Sequence, residues 1–377
     1  MANAVILPDE EPCRTEHRLE VRRLSVTRAL ILSMLLGRTM CLFPYQLNTS
    51  VPPDSPLPAS SEADCNEARA KARSLAENLD SSRAAVPLAD VFAKCPTYEN
   101  GRDLADAEIV VGQYASAKAL LETMMEQQNR AELHSLLGKA EAAQKNYKAA
   151  AIEYQKAAEM EPTETNIFDF GMSLFRLDHN SAITILRYGV QKYPQSVKLH
   201  VALGTVLYAD GKSVEGAELL CDAEDLNPSD PHPMEILADT EIVPPALAPR
   251  VTSLFAELHR KYETDGLILF DYTMVESGRW SNDRDAEPLH FADSLRAALR
   301  LNPRLPQVYY QLSLISAQQR NYQEEVQFLK KAISMDPGKD EYHYRLAFAY
   351  KKSGDEAKFR EELSEFEKLH NATSDGQ

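Results

Sequence analysis

The stretch "KNYKAAAIEYQKAAEMEP", residues 145–162, decides the fold of this chain. It sets alanines at intervals among large apolar side chains, and it ends in Pro162. Small residues allow two helices to approach closely, and proline ends a helix because it lacks an N–H donor and clashes with the preceding turn. The stretch therefore predicts a closely packed helix that stops at Pro162.

The same pattern recurs along the chain. In three segments a first small position is followed twelve residues later by a second one, and Glu325 is the loosest match: Gly138 with Ala150, Gly204 with Gly216, and Ser313 with Glu325. Closing prolines stand at positions 162, 194, 228, 303 and 337, so the steps are 32, 34, 75 and 34 residues. The step of 75 corresponds to two periods of 34 plus seven extra residues. The sequence is therefore a tandem repeat.

A period near 34 with small residues at the helix crossings resembles the tetratricopeptide repeat, a helix–turn–helix unit. The resemblance covers about residues 131–369 and implies an all-α fold, an α-solenoid of tandem helix–turn–helix repeats whose first helices line a concave groove. The large residue usual early in the first helix is replaced by His134, His200 and His343. We predict a packing role for these histidines, because residues a whole repeat apart cannot share a metal ion.

Composition and repeat register divide the chain into six predicted segments. These are a signal or anchor segment (1–45), a Pro/Ser-rich linker (46–64), N-terminal helices with a degenerate repeat (65–130), three repeats (131–230), degenerate repeats with insertions (231–304) and two C-terminal repeats (305–370). Residues 107–127 are interpreted as the second helix of an early unit after a short start.

The N-terminal segment resembles an export signal. Arg22, Arg23 and Arg28 precede the apolar run "ALILSMLL", and Arg38 then interrupts it. The run is shorter than the roughly 20 residues of a transmembrane helix, and no clear small-x-small cleavage site follows. We expect an exported, periplasmic or membrane-associated protein; the alternative is a cytoplasmic one.

Five cysteines are too few for a disulfide-rich scaffold. If the chain is exported, Cys65 and Cys95 could join the first two helices and close a loop of about 30 residues. Cys221 lies beside apolar leucines and is interpreted as a buried thiol.

Charge and motifs argue against several classes of function. The net charge of −16 repels nucleic acid phosphates and anionic lipid surfaces. The chain contains no HExxH, CxxC or GxSxG motif. The two glycines of "GTVLYADGKS", residues 204–213, lie seven apart, which does not match a phosphate-binding loop. The acidic insertion near Asp283 lacks the spacing of a calcium loop. We predict no enzyme, cofactor, metal site or small-molecule substrate.

The family resemblance also implies which positions line the groove: the second, fifth, ninth, twelfth and thirteenth of each repeat. The partner-binding candidates at these positions are Phe168, Met172, Phe175, Arg176, Lys198, Val201, Tyr208, Tyr310, Leu314, Tyr344 and Phe348. The carboxylate clamp of chaperone-binding members is absent, since Ser135 and Lys139 occupy two of its positions. The aromatic and Met-bearing set favours a peptide or helix held by apolar anchors. The alternative is that these side chains pack inside the chain itself.

The sequence thus predicts a non-catalytic scaffold that binds protein or peptide partners in its groove, outside the cytoplasm or near a membrane. The alternatives are a cytoplasmic scaffold and a non-catalytic subunit of an enzyme complex.

Overall fold

A computed structural model describes residues 62–78, 85–278 and 288–374. The predicted signal segment, most of the linker and the acidic insertion with Trp280 lie outside these residues. The chain divides into two compact units, Met1–Lys212 (unit 1) and Ser213–Gln377 (unit 2). The described residues form helices and turns without β-strands, as the predicted all-α solenoid of helix–turn–helix repeats requires.

The helices of unit 1 are α1 Glu62–Asn78, α2 Ala85–Lys94, α3 Tyr98–Val110, α4 Tyr114–Gln127, α5 Ala131–Ala143, α6 Tyr147–Met160, α7 Glu164–Leu174, α8 His179–Lys192 and α9 Val197–Ala209. From α3 onward they form hairpins, with α3, α5, α7 and α9 as first helices and α4, α6 and α8 as second helices. Residues 107–110 end the first helix α3, so the interpretation of 107–127 as one second helix is wrong. The turn at Gly112, which has a φ of 82°, separates the two helices.

The helices of unit 2 are α10 Ser213–Leu226, α11 His232–Thr240, α12 Ala248–Lys261, α13 Gly266–Glu276, α14 Pro288–Leu301, α15 Pro306–Gln318, α16 Tyr322–Met335, α17 Asp340–Lys352 and α18 Glu356–Ser374. Pro244 and Pro245 stand between α11 and α12, where Pro245–Leu247 forms a short 3₁₀ helix, and Pro249 lies in the first turn of α12. Within the described part of the chain, no helix is long and apolar enough to cross a membrane.

Proline and capping residues set the helix ends. Each closing proline at 162, 194, 228, 303 and 337 comes within two residues of the end of a second helix, as predicted. At the other end, Thr163 and Ser196 cap α7 and α9, because each side chain accepts a hydrogen bond from a backbone N–H of the first turn.

Most hairpins share one turn. A residue with positive φ follows the first helix, and the N–H of the next residue donates to the carbonyl oxygen five residues earlier. These residues are Gly112, Lys145, Gly211, Arg320 and Gly354. The hairpin of α7 and α8 differs: no residue from 175 to 178 has positive φ, and α7 has 11 residues where α5 and α9 have 13. This difference accounts for the 32-residue step in the sequence.

Small residues close the hairpins, as the opening stretch predicts. Ala150 and Ala157 on α6 are buried. A Cβ built on Gly138 would lie 2.9 Å from the ring of Tyr154, so α5 and α6 are in contact through the glycine. Leu121 and Leu133 pack with Ala105, Ala117 and Ala140 in the neighbouring core between α3, α4 and α5.

Candidate functional site

The first helices of unit 1 carry the central candidates, and we call the surface that they form the first-helix face. Phe168 and Met172 lie one turn apart on α7 and are both partly buried. Lys198, from α9, places its Nζ 3.8 Å from the centroid of the Phe168 ring. An ammonium group over an aromatic face is attracted by the ring quadrupole. The structure therefore brings together an apolar pair and a cation from two successive repeats.

A second cation, just beyond the end of α7, lies over the aromatic ring that begins the second helix α6. Arg176 follows α7 and is exposed, and its guanidinium carbon is 4.9 Å from the centroid of the Tyr147 ring. Among the described residues, neither Arg176 nor Lys198 lies within ion-pair distance of a carboxylate. Both positive charges are therefore open to a ligand.

Carboxylates of the first helices lie among these cations. Lys139 on α5 binds Asp106 on α3, with 2.5 Å between Nζ and Oδ1. On α7, burial raises the pKa of the Asp169 carboxyl above its ordinary value, while the positive charges of Lys198 and Lys139 lower it. Cations and carboxylates thus alternate along the face.

Two of the predicted residues in unit 1 are buried, and a third is partly buried like Phe168 and Met172. Phe175 and Tyr208 are each only 7% exposed, and Val201 is partly buried. The ring of Phe175 stacks on that of His179, with 5.0 Å between centroids. Phe175 and Tyr208 therefore contribute to packing in this structure.

The remaining candidates lie in unit 2, and Tyr310, Tyr344 and Phe348 contact aromatic residues of the same chain. Tyr310 donates a hydrogen bond of 2.5 Å to Glu341, and its ring lies 5.2 Å from that of Tyr342. Leu314 is partly buried.

The last first helix, α17, meets the terminal helix through aromatic side chains. Tyr344 contacts Phe348 and Phe366, with centroid distances of 4.7 and 5.2 Å. Phe348 also meets Phe359 edge to face at 5.7 Å. Phe359 and Phe366 belong to α18, so the terminal helix covers part of this candidate surface, although Tyr344 remains 43% exposed.

The three histidines are buried and hydrogen-bonded, in agreement with the predicted packing role. His134 lies between Glu153 and Asn129, and His200 lies 2.8 Å from the Ser196 carbonyl oxygen. His343 lies 2.8 Å from Glu362. Within the described ranges, no group of His, Cys, Asp and Glu side chains is arranged to hold a metal ion.

The cysteines divide into one disulfide and one buried thiol among the described residues. Cys65 and Cys95 form a disulfide with 5.8 Å between their Cα atoms, which joins α1 to the residue that follows α2. Cys221 is a free thiol in the core of unit 2, and burial raises its pKa to about 12. A thiol that remains protonated in the core is a poor nucleophile.

Comparison with protein families identifies the repeats. Two tetratricopeptide repeat models match the chain, one over residues 102–165 and the other over residues 306–339. The chain contains tetratricopeptide repeats. The first match includes α3, so the tetratricopeptide pattern extends upstream of residue 131, where the sequence analysis began its regular repeats. The signal available there was Gly112 at the turn.

Solved structures of tetratricopeptide proteins resemble the chain, and curated proteins yield no match. The C-terminal part of a protein from Cytophaga hutchinsonii is 16% identical over 63% of this chain and 97% of its own, with a TM-score of 0.48. A protein from Parabacteroides merdae is 12% identical over 76% of this chain and 99% of its own, with a TM-score of 0.43. YrrB, described as having an unusual peptide-binding site, is 18% identical over 44% of this chain and 87% of its own, with a TM-score of 0.35.

Sequence reasoning missed one feature of unit 1. Ile152 and Leu177 are 53% and 40% exposed, and they border a groove between α6 and α8 on the side of the second helices. The one available signal was the 32-residue step, which marks the shortened α7.

Proposed function

We propose that the chain is a non-catalytic scaffold that binds a protein or peptide partner on the first-helix face of unit 1. Tetratricopeptide repeats generally mediate contacts between proteins, and this chain contains them. The observation that carries the assignment to this face is the contact of Lys198 with Phe168 beside Met172. It combines accessible apolar area with an exposed cation that has no carboxylate within ion-pair distance among the described residues.

The chemistry of this face suits an anchored peptide. Apolar side chains that are partly exposed can bury further area on binding, at roughly 25 cal/mol per Å². Lys198 and Arg176 supply charge that can orient a partner, because complementary charges favour specificity and fast association. Since the rings of Phe168 and Tyr147 already lie beneath the cations, little side-chain ordering is needed on binding.

The test begins with in-cell crosslinking in the native host, followed by purification of the captured partner and measurement of its Kd. We expect Met172→Glu and Lys198→Glu to weaken binding about tenfold or more, which corresponds to about 1.4 kcal/mol. Met160→Glu and Lys94→Glu are matched controls, because both wild-type side chains are exposed and lie away from the face. Unchanged thermal unfolding would show that the variants fold. Equal Kd values for all four variants would refute the assignment to this face.

We further propose that the scaffold works outside the cytoplasm. The Cys65–Cys95 disulfide supports this location, because disulfides persist in oxidising compartments. The arginines and apolar run of residues 22–36 also support it. Mass spectrometry of the N-terminus in fractionated native cells tests the proposal. A start between about residues 40 and 65 in the envelope fraction is expected, whereas an intact N-terminus in the cytoplasmic fraction would contradict it.

A further inference from the structure

Unit 1 has a groove of about 620 Å³ on the side of the second helices, opposite to the first-helix face. We call it the outer groove. It lies between α6 and α8, over the end of α7. The shortened α7 explains it: this helix stops at Leu174 and lacks the last residues that α5 and α9 possess. The side chains that a longer helix would cover are left open.

The outer groove is apolar at its floor and at two points of its border. Phe170 and Leu174, from α7, are partly buried in the floor, and Ile185 from α8 lies beside them. Ile152 and Leu177 stand at the border with about half of their surface in solvent. An open concave surface that exposes neighbouring aliphatic side chains is typical of an interaction site.

The spacing of the lining residues matches a helical occupant. On α6 they recur at positions 148, 151, 152 and 155, which is one helical face over two turns and about 10 Å of length. On α8 they recur at 180, 181, 184 and 185, which is again one face. Both walls are helices whose backbone groups are bonded internally, so an extended peptide would find no backbone partners there. A short helix satisfies its own backbone and can place apolar side chains between the two walls.

Charge narrows the chemistry of the occupant. Among the residues that line the outer groove, Lys148 is the only charged one, and the other polar lining residues are uncharged: Gln155, Asn180, Ser181 and Thr184. Within the described residues Lys148 has no ion-pair partner. A carboxylate on the bound helix would therefore be favoured where that helix meets Lys148. A charged side chain elsewhere on the bound helix would find no counterion among the residues that line the outer groove.

We propose that the outer groove binds an amphipathic helix of a partner protein that carries two aliphatic side chains one turn apart and one acidic residue that meets Lys148. The aliphatic pair fills the floor over Phe170 and Leu174 and covers Ile152 and Leu177. This is a second binding surface, separate from the first-helix face and independent of the function proposed for it. The chain then connects two partners through opposite sides of the same repeats.

A synthetic helix tests this proposal on the full-length chain. The probe is a peptide of about 14 residues with two leucines one turn apart on one helical face. It is made in two versions, with a single glutamate at one end or at the other end of that face. A lactam bridge keeps so short a helix folded. Its affinity is measured by fluorescence anisotropy. We expect Ile152→Lys and Leu177→Asp each to weaken binding about tenfold, because a charge then enters the apolar groove. Lys148→Glu should weaken the glutamate probe about three- to fivefold and favour a probe with lysine in its place.

Val110→Lys is the matched control, since Val110 is similarly exposed on α3 but lies outside the outer groove. Met172→Glu should leave probe binding unchanged, which separates this proposal from the one for the first-helix face. Failure of all probes to bind at millimolar concentration would overturn the proposal, as would equal losses in Val110→Lys and Ile152→Lys. Self-association of the wild type that Ile152→Lys abolishes would also overturn it, because the occupant would then be a second copy of the chain.

Discussion

His134 Nδ1 lies 2.6 Å from Glu153 Oε2, and the same contact recurs 209 residues later between His343 and Glu362 at 2.8 Å. In both cases the glutamate follows the histidine by 19 residues, so the pair joins the first helix of a hairpin to its second helix. The histidine occupies the position where the repeat family usually has a large residue. A buried ring that reaches a carboxylate on the partner helix can fill that space and still satisfy its nitrogen atoms.

Glu153→Gln should destabilise the protein by about 1 to 2 kcal/mol at neutral pH, because the hydrogen bonds to a charged acceptor are lost. Burial raises the pKa of the Glu153 carboxyl, but hydrogen bonds from Lys156 and His134 outweigh this effect and hold the pKa below its ordinary value of 4.5. A lowered folded-state pKa stabilises the fold above pH 4.5, and this contribution is lost as the pH falls through the folded-state pKa. Urea unfolding at pH 7 and below pH 4 measures the difference.

Glu159→Gln, at an exposed position on the same helix, should leave the free energy of unfolding almost unchanged at either pH. A penalty for Glu153→Gln that is the same at both pH values would show that the effect does not come from the charged carboxylate.

Glu224→Gln should stabilise the protein at alkaline pH. Glu224 is 3% exposed, and within the described residues its Oε2 has no hydrogen-bond partner. Burial, followed by the negative charge of Asp230, raises its pKa to about 7. A raised carboxyl pKa means that stability is full below pH 4.5 and falls as the pH rises through about 7.

The wild type should therefore lose about 2 to 3 kcal/mol between pH 5 and pH 8 relative to Glu224→Gln, at about 1.4 kcal/mol per pKa unit. Denaturation curves of both proteins across this range provide the measurement. Parallel pH profiles for the two proteins would exclude a perturbed Glu224 carboxyl.

Gly171→Ala should destabilise unit 1, because its Cβ would lie 2.6 Å from Cδ2 of the fully buried Leu186. We expect a cost of about 1 to 3 kcal/mol from overpacking. In a double-mutant cycle, Leu186→Ala should remove most of that extra cost, since the two side chains compete for one space. Gly338→Ala is the control, because its nearest atom would be 3.9 Å away. Additive effects of Gly171→Ala and Leu186→Ala would contradict direct contact.

Replacing both Cys65 and Cys95 by serine should reduce the stability of the N-terminal helices by about 3 to 4 kcal/mol, which is the cost of closing a loop of about 30 residues. Limited proteolysis should then cleave near α1 and α2 first. In the wild type, alkylation of the denatured protein without reductant should label two fewer cysteines than alkylation after reduction. Equal labelling would disprove the disulfide in the isolated protein.

Phe175→Ala and Met172→Ala separate packing from binding. Phe175 is buried, so we expect its removal to cost about 3 kcal/mol of stability. Met172 is only partly buried, so its truncation should cost about 1 kcal/mol while it weakens the partner complex. Thermal unfolding and Kd measured on the same samples compare the two. A larger loss of stability for Met172→Ala would place that side chain in the core.

The repeat pattern was predictable because it depends on local chemistry. Prolines end second helices wherever they occur, and alanine or glycine allows close helix contact at a fixed spacing, so Ala150 and Pro162 already indicated their roles. The start of the first matched repeat was missed because α3 lacks the pattern of the later first helices: its turn residue Gly112 is typical, but Gly101 and Asn100 replace the usual apolar residues at its beginning.

The sequence alone determined the helical class, the repeat period, the turns and the absence of familiar catalytic motifs. Each of these depends on residues that are close together in the chain. Only the tertiary structure decided which groove candidates are accessible. Phe168 and Phe175 were both predicted to line the groove from the same short segment. Phe168 is only partly buried and lies beneath Lys198, whereas Phe175 is buried beside His179. The outer groove was also decided by the tertiary structure, because its lining comes from the three helices α6, α7 and α8. Exposure depends on what other helices cover, and that information is not contained in any single repeat.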